Sequence, residues 1–260
     1  MNVLDKIVAQ KHKEVQENRV LQPIELLEKS VYFNSPTISL SEYVKRSDKS
    51  GVIAEFKRKS PSKPEINLYA DVATVTTGYM RAGASALSVL TDQLFFGGSN
   101  AHLTTARKYN FCPILRKDFI IDEYQIIEAK SIGADAVLLI CEILTKEEVA
   151  KLAKFAKQLN LEVLLELHSE EQLDKYTPDC QLIGVNNRNL DTFNVSLDFS
   201  KNLFEKLPKE AVKITESGIK SAQEASILKG YGYDGYLIGE NFMKTADPGL
   251  AAAEFISSLN

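Results

Sequence analysis

The 260-residue sequence contains no tryptophan, only three histidines and three cysteines, and no surplus of positive charge. Each shortage excludes something. Cys112, Cys141 and Cys180 are odd in number and form no C-x-x-C pair, so neither a disulfide framework nor a zinc knuckle is encoded. That usage fits a reducing, cytoplasmic compartment. His12, His102 and His168 show no H-x-x-x-H or H-x-H spacing, which argues against a protein-bound metal. Lys plus Arg total 31 against 35 Asp plus Glu, a net charge of −4, so no positive field is available for nucleic acid or a membrane surface. No apolar run approaches the roughly 20 residues of a membrane span. Charges also occupy the N-terminal stretch where a signal peptide needs its apolar segment. Walker loops, Gly-x-Ser-x-Gly elbows and the G-x-G-x-x-G fingerprint are missing, which argues against NTPases, serine hydrolases and dinucleotide enzymes.

What is there is an ordinary globular composition, 44% hydrophobic and 25% charged. Residues 1–50 read as helical. Val3, Leu4, Ile7 and Val8 share one face, with Asp5, Lys6, Gln10 and Lys11 on the other, and shorter helices follow around Pro23–Lys29 and Ser39–Arg46. From Gly51 onward, short Val/Ile/Leu/Ala runs alternate with helical stretches, the pattern of βα units around a parallel sheet. The predicted strands are Val52–Lys57, Ala84–Leu90, Pro113–Lys117, Ala134–Cys141, Glu162–Leu167, Leu182–Asn186, Val212–Glu216 and Gly235–Gly239. Gly83, Gly133 and Gly232 recur just before strands, where a left-handed residue ends the preceding helix. Eight units in about 210 residues predict a (β/α)8 TIM barrel in preference to a doubly wound open sheet. The whole chain, 1–260, is expected to form one barrel domain, with 1–50 packed on it and lying across one mouth.

The anomaly is where the charges fall. In VIAEFK the strand period of two puts Glu55 and Lys57 on one face and Ala54 and Phe56 on the other. Lys117 closes the third strand beside Arg116, Glu166 follows the apolar run Val163-Leu164-Leu165, Asn186-Asn187-Arg188 closes the sixth, and Glu216 the seventh. Any one of these is an ordinary salt bridge or solvated strand end. In a barrel all of them converge on the C-terminal mouth, where the catalytic groups of this fold sit. Converging carboxylates and amines are how acid and base roles are arranged. A second signal lies in ITESGIKS and YLIGENFM, where glycine follows an apolar strand and precedes a helix. Backbone N–H groups at Ser217-Gly218 and Gly239-Glu240 can there meet one anion, and loops seven and eight are the usual phosphate site of a barrel. A phosphorylated small molecule is implied. His168 reads as a hydrogen-bonding residue of the rim, Cys141 as apolar filler, and His12 and His102 as solvent-facing.

The segments IAEFKRKSPS from Ile53, ILRKDFIID from Ile114, GADAVLLI from Gly133, LLELH from Leu164, IGVNNRNLDTF from Ile183, ITESGI from Ile214 and YLIGENFM from Tyr236 closely resemble the indole-3-glycerol phosphate synthase family of tryptophan biosynthesis. The opening LDKIVAQKHKEV resembles that family's N-terminal helix, so the likeness spans nearly the whole chain, in order. It implies a (β/α)8 barrel with an N-terminal helical segment and no cofactor. The reaction would turn 1-(2-carboxyphenylamino)-1-deoxyribulose 5-phosphate into indole-3-glycerol phosphate with loss of CO2 and water. By motif, Lys117 would be the general acid at the substrate ketone and Glu166 a general base or acid in later proton transfers. Glu55, Asn186 and Glu216 would complete the polar floor. Lys57 would hold the anthranilate carboxylate and donate a proton during dehydration, and Arg188 would help bind substrate and order the site. Ser60, Ser217, Gly218, Gly239 and Glu240 would mark the phosphate end, and Phe96, Phe119, Leu138, Ile140 and Leu190 the apolar wall around the aromatic ring. The likeness also implies a cytoplasmic monomer or weak homodimer, with room for contacts to other enzymes of the same pathway.

Two positions depart from the family's pattern: Pro64 stands where many members have glycine, and Glu240 where some have serine. A carboxylate repels phosphate, so any contact at Glu240 has to come from its backbone. Three other functions compete. A phosphosugar isomerase or epimerase would share the phosphate loops but needs only one acid/base pair and no aromatic wall. A Schiff-base aldolase would use Lys117 or Lys57 covalently and would trap with borohydride. An inactive scaffold barrel would have no need of the mouth charges.

Overall fold

The computed structural model describes residues 3–189 and 194–259. Eight parallel strands close into a barrel in sequence order: β1 Val52–Phe56, β2 Ala86–Leu90, β3 Ile114–Lys117, β4 Ala136–Ile140, β5 Glu162–Leu167, β6 Leu182–Asn186, β7 Val212–Glu216 and β8 Gly235–Ile238. Every predicted strand is present, most of them one or two residues shorter at an end. Closure comes from β1 pairing with β8, Val52 opposite Tyr236 and Ala54 opposite Ile238.

Before β1 run α1 (Val3–Leu21), α2 (Ile24–Leu27) and α3 (Leu40–Lys45). Between and after the strands lie α4 (Val72–Arg81), α5 (Asn100–Tyr109), α6 (Glu123–Ser131), α7 (Lys146–Gln158), α8 (Asp198–Leu203), α9 (Ala222–Tyr231), α10 (Glu240–Met243) and α11 (Pro248–Ser257). The β5–β6 connection carries a five-residue 3-10 turn, Glu171–Lys175, in place of an α-helix. Local chemistry explains the boundaries. Asp122, Thr145 and Ser221 each cap a helix and exchange hydrogen bonds with Gln125, Glu148 and Glu224 three residues on. Gly83, Gly133 and Gly232 adopt φ of 95°, 95° and 111° at helix ends, as their recurrence before strands predicts.

The period of two sorts the strand residues. Val52, Ala54 and Phe56 join the layer between sheet and helices. Ile53, Ala86, Leu115, Leu138, Leu164, Leu182, Ile214 and Leu237 fill the barrel interior. Glu55, Lys117, Glu166, Asn186 and Glu216 stand in register above these apolar layers, because each lies two residues beyond an inward-facing one.

The N-terminal segment works at both ends of the barrel. Leu40 and Val44 of α3 plug the interior cluster from below. At the other mouth Ile7 of α1 joins that cluster, while Val15 packs with Leu27, Tyr124 and Ile127 over α6. The expected polar face of α1 needs one correction. Lys11 is buried, 3% exposed, on the same side as Ile7 and Val15, whereas Val3 is exposed. The i, i+4 spacing of 7, 11 and 15 puts all three on one stripe, and carboxylates waiting beneath Lys11 make the burial tolerable. His102 also departs from expectation. It is half-buried on α5, its ring edge-on to Phe56 at 5.5 Å, and burial lowers its pKa with Arg58 adding to the effect.

Candidate active site

A cavity of about 490 Å3 opens at the C-terminal mouth. Lys57, Glu55, Lys117, Glu166, Asn186, Glu216, Arg188, Ser60, Phe96, Phe119, Leu138, Ile140, Ser217, Gly218, Gly239 and Glu240 all line it. Leu190, the remaining predicted wall residue, lies outside the described residues. The site is polarised by strand order. The apolar wall comes from β4 and the loops after β2 and β3, with Phe96 and Phe119 ring centroids 5.7 Å apart. In a closed eight-stranded barrel those strands stand opposite β7 and β8, which carry the glycine loops.

The floor is an ionic network. Lys117 Nζ lies 2.8 Å from Glu166 Oε2 and 2.5 Å from Glu216 Oε2, spanning the barrel from β3 to β5 and β7. Burial works to lower the Lys117 pKa, but Glu166, Glu216 and Glu55 outweigh it and hold the ammonium above the ordinary lysine range. Burial likewise pushes Glu166 up, yet Lys117 and His168, whose Nε2 is 3.2 Å from Glu166 Oε1, bring it well below the usual carboxylate range. Glu216 goes the other way. Burial raises it to about 8, and the Glu166 charge adds to the effect while Lys117 opposes it.

At first sight the two contacts contradict this order, since the shorter one is to Glu216. One ammonium cannot neutralise two carboxylates, so the trio holds its proton as a unit. Glu216 takes the upward shift because burial acts on it and the Glu166 charge adds to it, whereas Glu166 has Lys117 at 2.8 Å and His168 Nε2 at 3.2 Å. Gly184, next to Glu216 on β6, is what makes room: a Cβ there would collide with Glu216 Oε1. At the end of β1 a second pair forms, Lys57 Nζ 2.8 Å from Glu55 Oε1, with Ser88 Oγ donating to Glu55 Oε2 at 3.3 Å.

The loops around β7 and β8 are built around backbone. Ser217 and Gly218 adopt consecutive left-handed φ values of 67° and 79°, a conformation that costs a serine about 1–2 kcal/mol. Asn187 holds it, donating from Nδ2 to Glu216 O at 2.9 Å and Ser217 O at 3.2 Å. Asn187 therefore points away from the cavity and serves its geometry from behind. A Cβ on Gly218 would strike Val195, and one on Gly239 would come within 2.5 Å of Glu55 Oε1, so Gly239 is required by a neighbouring carboxylate as well as by its loop.

Three lysines line this end that the sequence reading passed over: Lys63, Lys220 and Lys244. Each lies within a few residues of a glycine or serine loop already singled out, and that proximity was the available signal. Lys63 pairs with Glu240 at 2.5 Å, and Arg188 stands 3.9 Å from the same carboxylate. Burial acts to raise Glu240, but Lys63, Lys57 and Arg188 bring it below the ordinary value. Ser60 Oγ accepts from Lys63 N at 3.2 Å inside a tight turn with Pro61.

Arg116, adjacent to Lys117, does not reach the mouth. It faces outward from β3 and is buried against Glu128 of α6 at 2.5 Å and Asp118 at 3.3 Å.

An inward-facing acid/base cluster between an aromatic wall and a cationic, backbone-rich loop end defines a (β/α)8-barrel enzyme acting on a small anionic, partly aromatic molecule. The comparisons make this specific. The family model described as indole-3-glycerol phosphate synthase matches residues 4–255, and the chain belongs to that family. Relatives carrying that name include one from Bacteroides thetaiotaomicron, 45% identical over 258 residues covering 99% of both chains. Another, from Campylobacter jejuni subsp. doylei, is 39% identical over 254 residues, 96% of this chain and 98% of that one. Among solved structures, thiamine phosphate pyrophosphorylase from Pyrococcus furiosus matches with a TM-score of 0.61 at 16% identity, over 85% of this chain and 98% of that one. 3-Hexulose-6-phosphate synthase from Salmonella typhimurium gives 0.63 at 13%, over 80% and 98%. Both likenesses concern the fold alone.

Proposed function

We propose that the mouth cavity carries out the family's reaction with Lys117 as its central acid. The protein is a carboxy-lyase of tryptophan biosynthesis that makes indole-3-glycerol phosphate from 1-(2-carboxyphenylamino)-1-deoxyribulose 5-phosphate. In the first step the aryl carbon bearing the carboxylate attacks the ketone. A C–C bond forms, the carbonyl π pair moves to oxygen, and Lys117 delivers the proton that makes it a hydroxyl. Loss of CO2 returns the C–C pair to the ring and restores aromaticity. Dehydration then takes a proton from the methylene carbon beside the ring nitrogen and delivers another to the departing hydroxyl, leaving the C=C bond of the indole, and the Glu166–Lys117–Glu216 trio has one carboxylate able to accept and one group able to give.

The remaining roles follow the polarity of the cavity. Lys57 holds the aryl carboxylate, and Glu55 holds Lys57. Phe96, Phe119, Leu138 and Ile140 take the ring, with Leu190 proposed beside them. Asn186 and Arg188 order the sugar chain. Ser60 and the backbone at Ser217, Gly218, Gly239 and Glu240 take the phosphate, with Glu240 contributing N–H only. The observation that carries this reading is the single ammonium shared by two carboxylates of opposite pKa shift, facing an aromatic wall. Three free, buried cysteines support work in the cytoplasm.

The test is incubation with the carboxyphenylamino substrate in the presence of a chelator. Because the chain has no tryptophan, the indole fluorescence of the product rises on a background free of that fluorophore. Formation of indole-3-glycerol phosphate at an enzymatic rate is expected. Absence of product, or ketose isomerisation without CO2 release, would overturn the reading.

A further inference from the structure

We infer that Lys11 of α1 is a positioning residue for the aromatic wall, its ammonium tying together the two loop carboxylates that aim Phe96 and Phe119. This rests on the aryl-pocket assignment above and deepens it. Lys11 Nζ lies 2.9 Å from Asp92 Oδ2, 3.0 Å from Asp118 Oδ1 and 2.8 Å from Glu14 Oε2. Neither aspartate spends its other bonds on the barrel frame alone. Asp92 Oδ1 accepts the backbone N–H of Phe95 at 2.7 Å and of Phe96 at 3.0 Å, and Asp118 Oδ1 accepts that of Phe119 at 2.8 Å. Both wall aromatics thus have their backbones pinned by carboxylates whose common counter-ion is Lys11.

A purely structural account explains less. The barrel closes through its strands, and α1 already has apolar anchors at Ile7 and Val15. A buried ion pair is often no more stabilising than an apolar replacement of similar size, so a buried ammonium here needs another reason. That reason is geometric. One turn before Lys11, Ile7 lines the cavity and packs in the same cluster as Phe119. One residue before Asp118 stands Lys117. The ammonium therefore sets helix, wall and acid relative to one another at a single point. Burial acts to lower its pKa, but Asp118 and Asp92 keep it above the ordinary lysine range, so the tie is held in its charged form.

Steady-state kinetics on Lys11→Met, Lys11→Arg and Glu14→Gln, beside thermal melts and inhibition by inorganic phosphate, test this. Because a displaced wall weakens ring binding more than proton transfer, Lys11→Met is expected to raise KM about tenfold while kcat falls less than about threefold. The phosphate inhibition constant should not move. Lys11→Arg should restore KM, and Glu14→Gln, which removes a partner that touches no wall residue, should leave it unchanged. An unchanged KM in Lys11→Met, or a KM and phosphate constant that rise together, would overturn the proposal. If Lys11→Met does not fold, Asp92→Asn decides: it keeps the Oδ1 acceptor for both amides and weakens only the ion pair, and a wild-type KM there is equally fatal. Phe119→Ala separates the two levels. If it leaves KM untouched, the aryl-pocket assignment itself is wrong; if it raises KM while Lys11→Met does not, only the role of Lys11 falls.

Discussion

Arg116 and Lys117 are neighbours on one strand, and each sits in a buried network of opposite charges, yet the two networks are built to different ends. On the outer face every nitrogen of Arg116 is engaged: Nε with Thr91 Oγ1 at 3.0 Å, Nη1 with Gln125 O at 2.8 Å, and Nη2 with Asn100, Asp118 and Glu128. On the inner face Lys117 is split between two carboxylates, one of which keeps an oxygen with no hydrogen-bond partner among the described residues, and the whole group lines an open cavity. A closed network has no proton to move. An open one, with a carboxylate oxygen left without a partner among the described residues, has a group that gives and a group that takes. Charge buried behind a strand is thus structural when its valences are filled, and reactive when the fold leaves one free on the cavity side.

The largest expected effect would break this contrast from the outer side. Arg116→Met leaves Glu128 buried without its counter-ion and takes from Asp118 one of its two, and should destabilise the fold by about 3–5 kcal/mol, with kcat of the surviving folded fraction close to wild type. Denaturant melts read the first and active-site-normalised kinetics the second. A stable but inactive variant would mean that the outer network takes part in the chemistry.

Next comes the inner side. Lys117→Met should lower kcat by about 100-fold or more with a much smaller change in melting temperature, because Glu166 and Glu216 can take up protons at the cavity wall. Near-normal turnover would transfer the acid role to Lys57. Glu166→Gln should behave similarly in kcat, with melting temperature and KM near wild type. A large drop in melting temperature with turnover kept would make Glu166 structural.

The pH profile sharpens the contrast further. Raising the pH through about 8 strips the proton that rests on Glu216, adding negative charge beside a site that must admit an anionic substrate. kcat/KM should therefore fall about tenfold per pH unit above that point, and Glu216→Gln should remove this limb. In the outer network the sign is reversed. Burial tends to raise Asp118, but Lys11 and Arg116 hold it below its ordinary value of 3.8. Its contribution to stability is present above that value and lost as pH falls through the depressed one. Acid melts of wild type against Asp118→Asn measure it, and a variant with the same acid sensitivity would contradict the assignment.

The smallest effect is expected at Gly184→Ala. The added methyl must displace the Glu216 carboxyl, so kcat should fall by about tenfold or less while the fold persists. Unaltered kcat would show that the exact seat of Glu216 is unimportant.

The inward alternation of Glu55, Lys57, Lys117, Glu166, Asn186 and Glu216, the eight strands and the glycine helix stops were legible in the primary structure. They follow from local rules: a period of two along a strand, and a left-handed residue at a helix end. The family likeness added the roles and the wall. Lys11 was not legible, because on a helical wheel a lysine among Lys6, Gln10 and Lys13 reads as solvated, and only the aspartates brought beneath it from two distant loops make its burial tolerable. Arg116 and Asn187 were read with the mouth although the pleat turns them outward. The opposite pKa shifts of Glu166 and Glu216 were equally invisible, since they depend on distances between β3, β5 and β7. Sequence by itself determined which residues face inward, because that is set by neighbours along the chain. Tertiary structure alone decided which of the buried charges are filled and which are left free, because a charge takes its worth from partners that only the closed barrel brings within reach.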